Sequence, residues 1–372
     1  MKFTTMSKSL FFVKIGALLL LLAAAGIGLA LHAFKNYLHE PMSVQEPVLI
    51  TVMPGSSLRQ VTDSLNQQGL LSFPDALAIW ARYKGLAGSI KTGEYELVPG
   101  LSPEGLLALL VSGRNKQYPL TVVEGWTFRQ ALEALWASEK IDARLRDASD
   151  EEITAALGRN IPFLEGSIFP DTYFYTAGTT DIAILSRARQ RLESILADEW
   201  QNRLGGLPYK NSHEALVMAS VIEKESGVLA EKQRIAGVFI RRLETGMRLQ
   251  SDPTVIYGAG ADYTGVIRTS DLTSETPWNT YRISGLPPTP IALVSRTSIR
   301  ASLQPEDGSY LYFVASGNGG HYFSTTLEEH NTAVQRYRNI LSADSAGPAG
   351  PAGPAGSEPT TGANSNPPTQ AR

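Results

Sequence analysis

Two glutamates lie two positions apart in the mostly apolar segment MASVIEKESG, residues 218–227, which we predict to be helical. Residues three and four apart share one face of a helix. The neighbours of Glu225 on its face are aliphatic: Val221, Ile222, Val228 and Leu229. The neighbours of Glu223 are small or polar: Ala219, Ser220, Ser226 and Gly227. Glu225 is therefore predicted to lie on the apolar face and Glu223 on a small, polar face.

A carboxyl group among aliphatic side chains resists ionisation, so its pKa rises. A general acid that works near neutral pH needs such a raised pKa. From this segment alone, an ordinary amphipathic helix with Glu225 at the solvent edge of its apolar stripe explains the pattern equally well.

Other kinds of catalytic site have little support in the sequence. Three histidines lie beyond the N-terminal region, His213, His321 and His330, and none has HExxH or similar helical spacing. We expect each of them to have a packing, capping or hydrogen-bonding role. No G-x-S-x-G motif is present, and the chain has no cysteine, so neither a serine triad nor a thiolate metal site is indicated. Carboxyl chemistry remains, and no metal or other cofactor is expected.

Carboxyl chemistry on a long polar substrate suggests glycan cleavage, for which glycosidases usually use two carboxylates. Asp171, Asp252 and Glu124 are the candidates for the second one. Both aspartates adjoin proline in turn-like contexts, where aspartate commonly accepts hydrogen bonds from backbone amides, and Glu124 lies in a predicted turn. If none of them takes part, a hydroxyl of the substrate could attack instead, with one glutamate acting first as acid and then as base.

Aromatic and amide side chains suited to a sugar-binding groove lie C-terminal to the glutamates: Tyr257, Trp278, Asn279 and Tyr281. Each of them is equally an ordinary core residue. They fall in residues 247–293, a stretch rich in Pro, Gly, Thr, Tyr and Asn with little regular pattern. Long irregular segments in compact domains are usually functional or disordered, and this one is too rich in large apolar side chains for disorder.

Helices and a hairpin surround this stretch in a domain predicted over residues 118–342. The predicted elements are a long helix over 181–200 capped by Asp181, a helix over 230–246 ended by Gly246, a hairpin around residues 318–320 and a final helix over 327–341. A helical domain with an irregular, aromatic-rich segment beside one unusual glutamate is typical of an enzyme with a cleft.

A strand, a glycine-containing turn and a capped helix recur three times upstream. The caps are predicted from Ser57 with Gln60, from Ser102 before Pro103, and from Thr127 with Gln130, and the first two helices would stop at Gly69 and Gly113. The first two copies predict a small α+β module over residues 45–117, and the third leads into the larger domain. Such a module either binds a ligand or serves as a spacer.

The two ends of the chain are not globular in composition. Residues 15–31 carry no charge, so a transmembrane helix is predicted over 15–34, and Lys2, Lys8 and Lys14 place residues 1–14 in the cytoplasm and the rest outside. A cleaved signal peptide is the alternative, although cleavage after Ala33 would put Leu31 where a small residue is required. Residues 343–372 are rich in Gly, Pro and Ala and are predicted to be a disordered tail. The net charge of −3 gives no indication of nucleic-acid binding.

Five segments together resemble the endolytic murein transglycosylase family, also called MltG or YceG-like. They are EGSIFPDTYFY, MASVIEKES, GVFIRRLETGMRLQSDPTVIYG, NTYRISGLPPTPI and YLYFVASGNGGHYFSTTLEEHN. The resemblance covers roughly residues 45–342 and the N-terminal anchor. In one departure, the element at Glu275 lies closer to the Asn-Thr-Tyr motif than the family spacing, so no role is carried over to Glu275.

The resemblance implies an α+β protein with a LysM-like module and a lysozyme-like, mainly helical catalytic domain with a β-hairpin. It implies a membrane-anchored lytic transglycosylase of the bacterial inner membrane, with its catalytic domain in the periplasm. Such an enzyme cuts nascent glycan strands internally between MurNAc and GlcNAc, leaves 1,6-anhydroMurNAc ends and terminates strand growth beside peptidoglycan synthases (penicillin-binding proteins). The second glutamate of the E-K-E triplet, Glu225, would be both acid and base. Residues carried over to the substrate cleft are Gln250, Ser251, Asp252, Tyr257, Asn279, Thr280 and Tyr281.

Two alternatives give different products. A hydrolase that uses Asp252 or Asp171 as a base with water would leave reducing ends. A non-catalytic peptidoglycan-binding scaffold would be insensitive to Glu225→Gln. The raised pKa expected for a carboxyl on an apolar helical face favours the transglycosylase, because a scaffold has no use for it.

Overall fold

The N-terminal segment is one long apolar helix. A computed structural model describes residues 5–158 and 162–345, and the predicted tail from residue 346 onward lies outside them. Helix α1 spans Thr5–His39, and its part from Phe11 to His39 is long and apolar enough to cross a membrane, with the large apolar side chains from Phe11 to Leu31 exposed. The helix extends beyond the predicted bound at residue 34 because Leu38 is buried in the core of the first of two compact units, which divide between Tyr118 and Pro119.

The first unit contains a two-stranded antiparallel sheet flanked by helices. Its further elements are β1 (Val48–Val52), α2 (Leu58–Gln67), α3 (Pro74–Tyr83), β2 (Gly93–Leu97) and α4 (Pro103–Ser112). Strand β1 pairs with β2, so that Ile50 lies opposite Tyr95, and both side chains are buried in the core. The predicted caps at Ser57 and Ser102 are confirmed, since each hydroxyl accepts a hydrogen bond from the backbone N–H three residues on.

The second unit is mainly helical. Its strands are β3 (Tyr118–Thr121, which begins at the boundary), β4 (Ile141–Asp142), β5 (Thr172–Tyr175), β6 (Thr179–Thr180), β7 (Tyr312–Ala315) and β8 (His321–Ser324). Its helices are α5 (Phe128–Trp136), α6 (Asp150–Leu157), α7 (Asp181–Gln201), α8 (Ser212–Glu225), α9 (Lys232–Glu244), α10 (Asp252–Ala259), α11 (Thr269–Thr273), α12 (Arg296–Leu303) and α13 (Leu327–Ser345). Strands pair as β3 with β5, β4 with β6 in parallel, and β7 with β8 in the predicted antiparallel hairpin.

Helix α8 is the central helix of this unit. It packs against α7, α9, α10 and α12, and every residue from Ala215 to Ile222 is buried. Glu225 at the end of the helix is buried as well. The solvent-edge position considered for Glu225 is therefore wrong, and its carboxyl group needs partners inside the protein.

Two further features differ from the sequence-based expectations. Helix α7 is capped by Thr180, and Asp181 is its first residue, buried and accepting hydrogen bonds from Leu145 N (2.8 Å) and Trp136 Nε1 (3.2 Å). Helix α13 continues to Ser345, so the predicted start of the tail at residue 343 is too early. The Thr127–Gln130 capping box on α5 is confirmed.

Gly237 should tolerate no larger residue although it lies inside helix α9. A Cβ atom added there would come within 2.3 Å of the Glu306 carbonyl oxygen. We expect Gly237→Ala to destabilise the unit by about 1–3 kcal/mol, because this backbone clash outweighs the gain of ~1 kcal/mol in helix propensity. Urea denaturation of the full-length protein in detergent measures it. The control is Gly205→Ala, where no atom lies within 4 Å, with an expected change below ~0.5 kcal/mol.

Candidate active site

Glu225 is the last residue of helix α8 and is 8% exposed. The chain turns to extended backbone at Ser226, so the predicted helical neighbours Val228 and Leu229 do not lie on its face, and Leu229 is 66% exposed. Three other residues act on the Glu225 carboxyl group, namely Ser251, Asp252 and Arg242. The prediction of apolar surroundings for Glu225 is thus only partly correct, because polar residues from other elements also surround its carboxyl group.

The Glu225 carboxyl group has one oxygen occupied and one available. Ser251 Oγ donates a hydrogen bond of 2.5 Å to Oε1, whereas Oε2 has no hydrogen-bond partner among residues 5–158 and 162–345. The pKa of Glu225 is raised to about 8, chiefly by burial and also by the Asp252 charge, although the Ser251 hydrogen bond and the Arg242 charge lower it. The group is therefore a protonated acid at neutral pH.

Glu223 has the opposite electrostatics, although its side chain is only 7% exposed. Burial tends to raise its pKa, but hydrogen bonds from Ser295 and the charge of Lys232, whose Nζ lies 3.0 Å away, hold the pKa below its usual range. The small, polar face predicted for Glu223 is thus a buried ion pair. Of the two neighbouring glutamates, only Glu225 lacks a direct ion-pair partner.

The buried side chain of Arg242 contributes to the site through hydrogen bonds to backbone carbonyl oxygens rather than through an ion pair. Its guanidinium is buried and donates hydrogen bonds of 2.7 Å to the carbonyl oxygens of Leu249 and Leu311. These bonds hold the segment that leads into Ser251. Burial lowers the pKa of Arg242, while its positive charge partly offsets the rise in the pKa of Glu225.

The predicted cleft segments around residues 250–252 and 279–281 are held together by hydrogen bonds. Ser251 N donates to Thr280 Oγ1 (2.9 Å), and Gln250 N donates to the Thr280 carbonyl oxygen (3.2 Å). Gln250 has φ of 52°, a left-handed conformation that costs a non-glycine residue energy and commonly occurs near functional sites. The side chains of Asn279 and Thr280 are fully buried, and the Asn279 amide donates to the carbonyl oxygens of Asp271, Leu272 and Ser274. The hydrogen bonds of Asn279 and Thr280 therefore stabilise the conformation of the loop that contains them.

The candidate second carboxylates have different positions. Asp252 lies beside Glu225, is 5% exposed and accepts a 2.5 Å hydrogen bond from Tyr281 Oη. Asp171 is exposed and accepts a hydrogen bond from Thr172 N. Glu124 lies near the Glu223–Lys232 pair, and burial raises its pKa. Glu275, which had no assigned role, forms an exposed ion pair with Arg282.

A cavity of about 430 Å³ opens at Glu225. It is bounded by the turn after α8, by the β7–β8 hairpin and by helix α13. Lining residues include Glu225, Gly227, Gly319, His321, Tyr337 and Ile340. A volume of this size, with few polar groups, is typical of a site for a small ligand or for part of a larger one.

Tyr257 lies apart from this cavity, in a second one of about 610 Å³. There its hydroxyl donates to Glu165 Oε2 (3.3 Å), and its ring contacts Trp278 edge to face. Glu165 also accepts from Phe128 N (2.9 Å), yet burial raises its pKa to about 7. The sequence reasoning did not single out Glu165, and the one available signal was its place at the start of EGSIFPDTYFY.

The comparisons with known proteins agree with one another. The family model described as the YceG-like family matches residues 50–336. The chain belongs to the YceG-like family. The matched region runs from β1 into α13 and so contains Glu225 and the hairpin residues of its cavity, while α1 and the cavity-lining residues Tyr337, Ile340 and Leu341 lie outside it.

Relatives of this YceG-like chain carry one name. It is 31% identical over 312 residues to an endolytic murein transglycosylase of Bacillus subtilis, covering 78% of this chain and 84% of that protein. It is 26% identical over 364 residues to one of Streptococcus pneumoniae, covering 88% of this chain and 65% of that protein. A crystal structure of a putative yceG-like protein from Listeria monocytogenes superposes with a TM-score of 0.50 at 29% identity, covering 77% of this chain and 99% of that one.

Proposed function

We propose that the protein is a membrane-anchored endolytic lytic transglycosylase that cleaves nascent peptidoglycan strands between MurNAc and GlcNAc. The observation that carries the proposal is Glu225, a carboxyl group with no ion-pair partner in the described parts of the chain, buried at the wall of a cavity, with a pKa raised to about 8. The names of the relatives supply the substrate class, since they are endolytic murein transglycosylases.

One carboxyl group is sufficient for the proposed reaction. The protonated Oε2 of Glu225, which Ser251 leaves available, donates its proton to the glycosidic oxygen as the bond from MurNAc C1 to that oxygen breaks. The GlcNAc leaves with the proton as its 4-hydroxyl, and positive charge develops on C1. The 6-hydroxyl of the same MurNAc then attacks C1, and its proton returns to Glu225. The product is a 1,6-anhydroMurNAc end, and no water is consumed.

The positions of the other carboxylates favour this route over hydrolysis. A hydrolase needs a second carboxylate to act as base or nucleophile on the substrate. Asp171 is exposed and bonded to its own neighbour, and Asp252 is tied to Tyr281 and does not line the cavity that contains Glu225. A scaffold has no need for a buried acid at all.

The remaining parts of the proposal concern location and binding. Helix α1 would anchor the protein in the bacterial inner membrane, with residues 1–14 in the cytoplasm and the chain that follows α1 in the periplasm, as the lysines before the apolar run suggest. Residues 45–117 would form a LysM-like module that binds glycan, and residues 118–342 a lysozyme-like catalytic domain. Peptidoglycan synthases would be partners, since a strand terminator must act on strands as they grow.

Product analysis tests the proposed function. The full-length protein in detergent is incubated with uncross-linked glycan strands, and the products are analysed by size and by mass spectrometry. We expect internal fragments that end in 1,6-anhydroMurNAc. Fragments with reducing ends would replace the proposal by a hydrolase, and intact strands would favour a scaffold.

The pH dependence of glycan cleavage should reflect the ionisation of Glu225. Activity is expected to fall as the pH rises through about 8, where the acid loses its proton. Ser251→Ala removes the hydrogen bond that lowers the pKa of Glu225, so the alkaline limb of the kcat/KM profile should move up by roughly one pH unit. Thr254→Ser, which keeps the hydroxyl that bonds to Ser251 O, is the control and should leave the limb in place. A limb that moved down, or did not move, in Ser251→Ala would contradict the assignment.

A further inference from the structure

The wall of the Glu225 cavity contains a second, independently oriented polar group, His321, at the start of β8. The carboxylate of Glu231 holds it from one side. Glu231 Oε1 accepts a hydrogen bond from His321 N (3.0 Å), and Oε2 lies 2.7 Å from His321 Nδ1. The imidazole packs edge to face against the ring of Phe313, with the ring centroids 5.5 Å apart and an interplanar angle of 87°, so packing fixes its orientation as well.

This orientation leaves one nitrogen for a ligand. A carboxylate at Nδ1 favours a proton on that nitrogen. Nε2 has no hydrogen-bond partner in the described part of the chain, and the residue lines the cavity. Gly320 makes the arrangement possible, since a Cβ there would come within 2.9 Å of Glu231 Oε1.

Tyr337 on helix α13 supplies an independent observation. It lines the same cavity and is 1% exposed, and its buried hydroxyl has no hydrogen-bond partner within residues 5–158 and 162–345. Burying a hydroxyl without a partner costs about 1–3 kcal/mol, and a ligand in the cavity would supply the missing hydrogen bond.

The chemistry of the cavity indicates a neutral ligand rich in hydroxyl groups. No lysine or arginine of the described residues lines it, and Glu225 is uncharged at neutral pH, so an anionic group would find no counter-ion among them. His321 and Tyr337 are groups that form hydrogen bonds to hydroxyl and amide groups. Gly227 and Gly319 also line the cavity, and a Cβ atom at either would meet nothing within 4 Å, so a rigid ring can approach the backbone closely there.

We propose that His321, through Nε2, and Tyr337, through its hydroxyl, are substrate-binding residues of the sugar subsite beside Glu225. They hydrogen-bond to the hydroxyl or acetamido groups of a neutral sugar ring at the bond to be cleaved. Glu231 is a positioning residue that acts through His321. This inference rests on the proposed function for the identity of the ligand, while the binding geometry is independent of cleavage.

Two substitutions of His321 separate ligand binding from the contact with Glu231. Glutamine places an amide where Nε2 was and can still reach the ligand, whereas asparagine places one where Nδ1 was and can bond only to Glu231. Binding is measured in full-length Glu225→Gln protein in detergent, by fluorescence anisotropy with labelled, peptide-free glycan strands. We expect H321N to weaken binding about five- to twentyfold and H321Q less than about threefold, as loss of one hydrogen bond implies.

Tyr337→Phe gives a second signature. It should weaken binding by a similar factor, roughly five- to tenfold, yet leave the melting temperature unchanged or raise it, because it removes a buried hydroxyl that has no partner. A residue with a purely structural role would not lose binding while keeping or gaining stability.

The outcomes separate this inference from the proposed function. Equal binding by H321N, Tyr337→Phe and the Glu225→Gln parent overturns the inference, and the proposed function then still stands on cleavage by the wild type. Weaker binding by H321Q than by H321N also overturns it, since His321 would then act only on Glu231. The expected binding pattern, combined with a wild-type protein that does not cleave, would support the subsite and refute the transglycosylase.

Discussion

Glu225→Gln will lower the rate of glycan cleavage by a factor on the order of 10² to 10⁴, the usual contribution of one general acid–base group. Glutamine fills the same space and can still accept the hydrogen bond from Ser251 Oγ, so the cavity keeps its shape. It has no proton to give to the glycosidic oxygen and cannot take one from the 6-hydroxyl. The measurement is the initial rate of strand cleavage under single-turnover conditions.

Asp171→Asn is the matched control for this experiment. It removes a carboxylate that the sequence offered as a second catalytic group but that is exposed at the start of β5. Its rate should remain within about twofold of the wild-type rate, as expected for a surface substitution. Full activity in Glu225→Gln, or its loss in Asp171→Asn, would overturn the single-acid mechanism.

The stability of Glu225→Gln should also change in a defined direction with pH. The folded pKa of Glu225, about 8, lies above the unfolded value of 4.5, so the folded protein keeps a proton that the unfolded chain loses. The wild type therefore loses stability as the pH rises from about 4.5 to 8, whereas glutamine does not titrate. Relative to the wild type, the variant should become steadily more stable across this window, which would show that its inactivity is not misfolding.

Lys232→Met should be among the most destabilising single substitutions in the second unit. It leaves the carboxylate of Glu223 buried beside Ser295 without its cation. Removing one partner of a buried ion pair typically costs about 3–5 kcal/mol. Urea denaturation of the full-length protein at pH 7 measures the loss.

Two further variants test whether the buried charge of Glu223 causes this loss of stability. The double variant Lys232→Met with Glu223→Gln removes the stranded charge and should recover most of the stability. Lys224→Met removes an exposed lysine whose Nζ donates a hydrogen bond to the Gly125 carbonyl oxygen, so the change should stay below about 1 kcal/mol. In the single variant the loss should shrink in acid, because protonation of Glu223 neutralises the stranded charge. A double variant as unstable as Lys232→Met would contradict the ion-pair explanation.

Elements that are marked by residues close together in the sequence were predicted correctly. The capping boxes at Ser57 and Thr127 and the hairpin around residues 318–320 were predicted from residues close together in the chain. Helix α3 was missed because its N-cap, Phe73, makes no side-chain capping bond. Helix α10 was missed for a related reason, since the side chain of Ser251 bonds to Glu225 and caps nothing.

The candidate site depends on contacts between residues distant in sequence. The periodicity around Glu225 correctly indicated an acid with a raised pKa, but its partner Ser251 lies 26 residues away. Ser295, which donates hydrogen bonds to the Glu223 carboxylate, lies 72 residues away, and Glu231 contacts His321 across 90 residues. No helical or strand period relates such positions. Tertiary packing, such as that of α8 against four other helices, brings distant residues together, and a single sequence does not display that packing.

The most direct test of the central claim, a single glutamate and no water in the reaction, is cleavage in H₂¹⁸O. Uncross-linked strands are digested by the full-length protein in detergent, and the masses of the new MurNAc ends are measured. The mechanism predicts anhydro ends that carry no ¹⁸O, because the 6-hydroxyl of the substrate is the nucleophile. New ends heavier by one water molecule and labelled with ¹⁸O would show that water attacks C1, and would contradict the account.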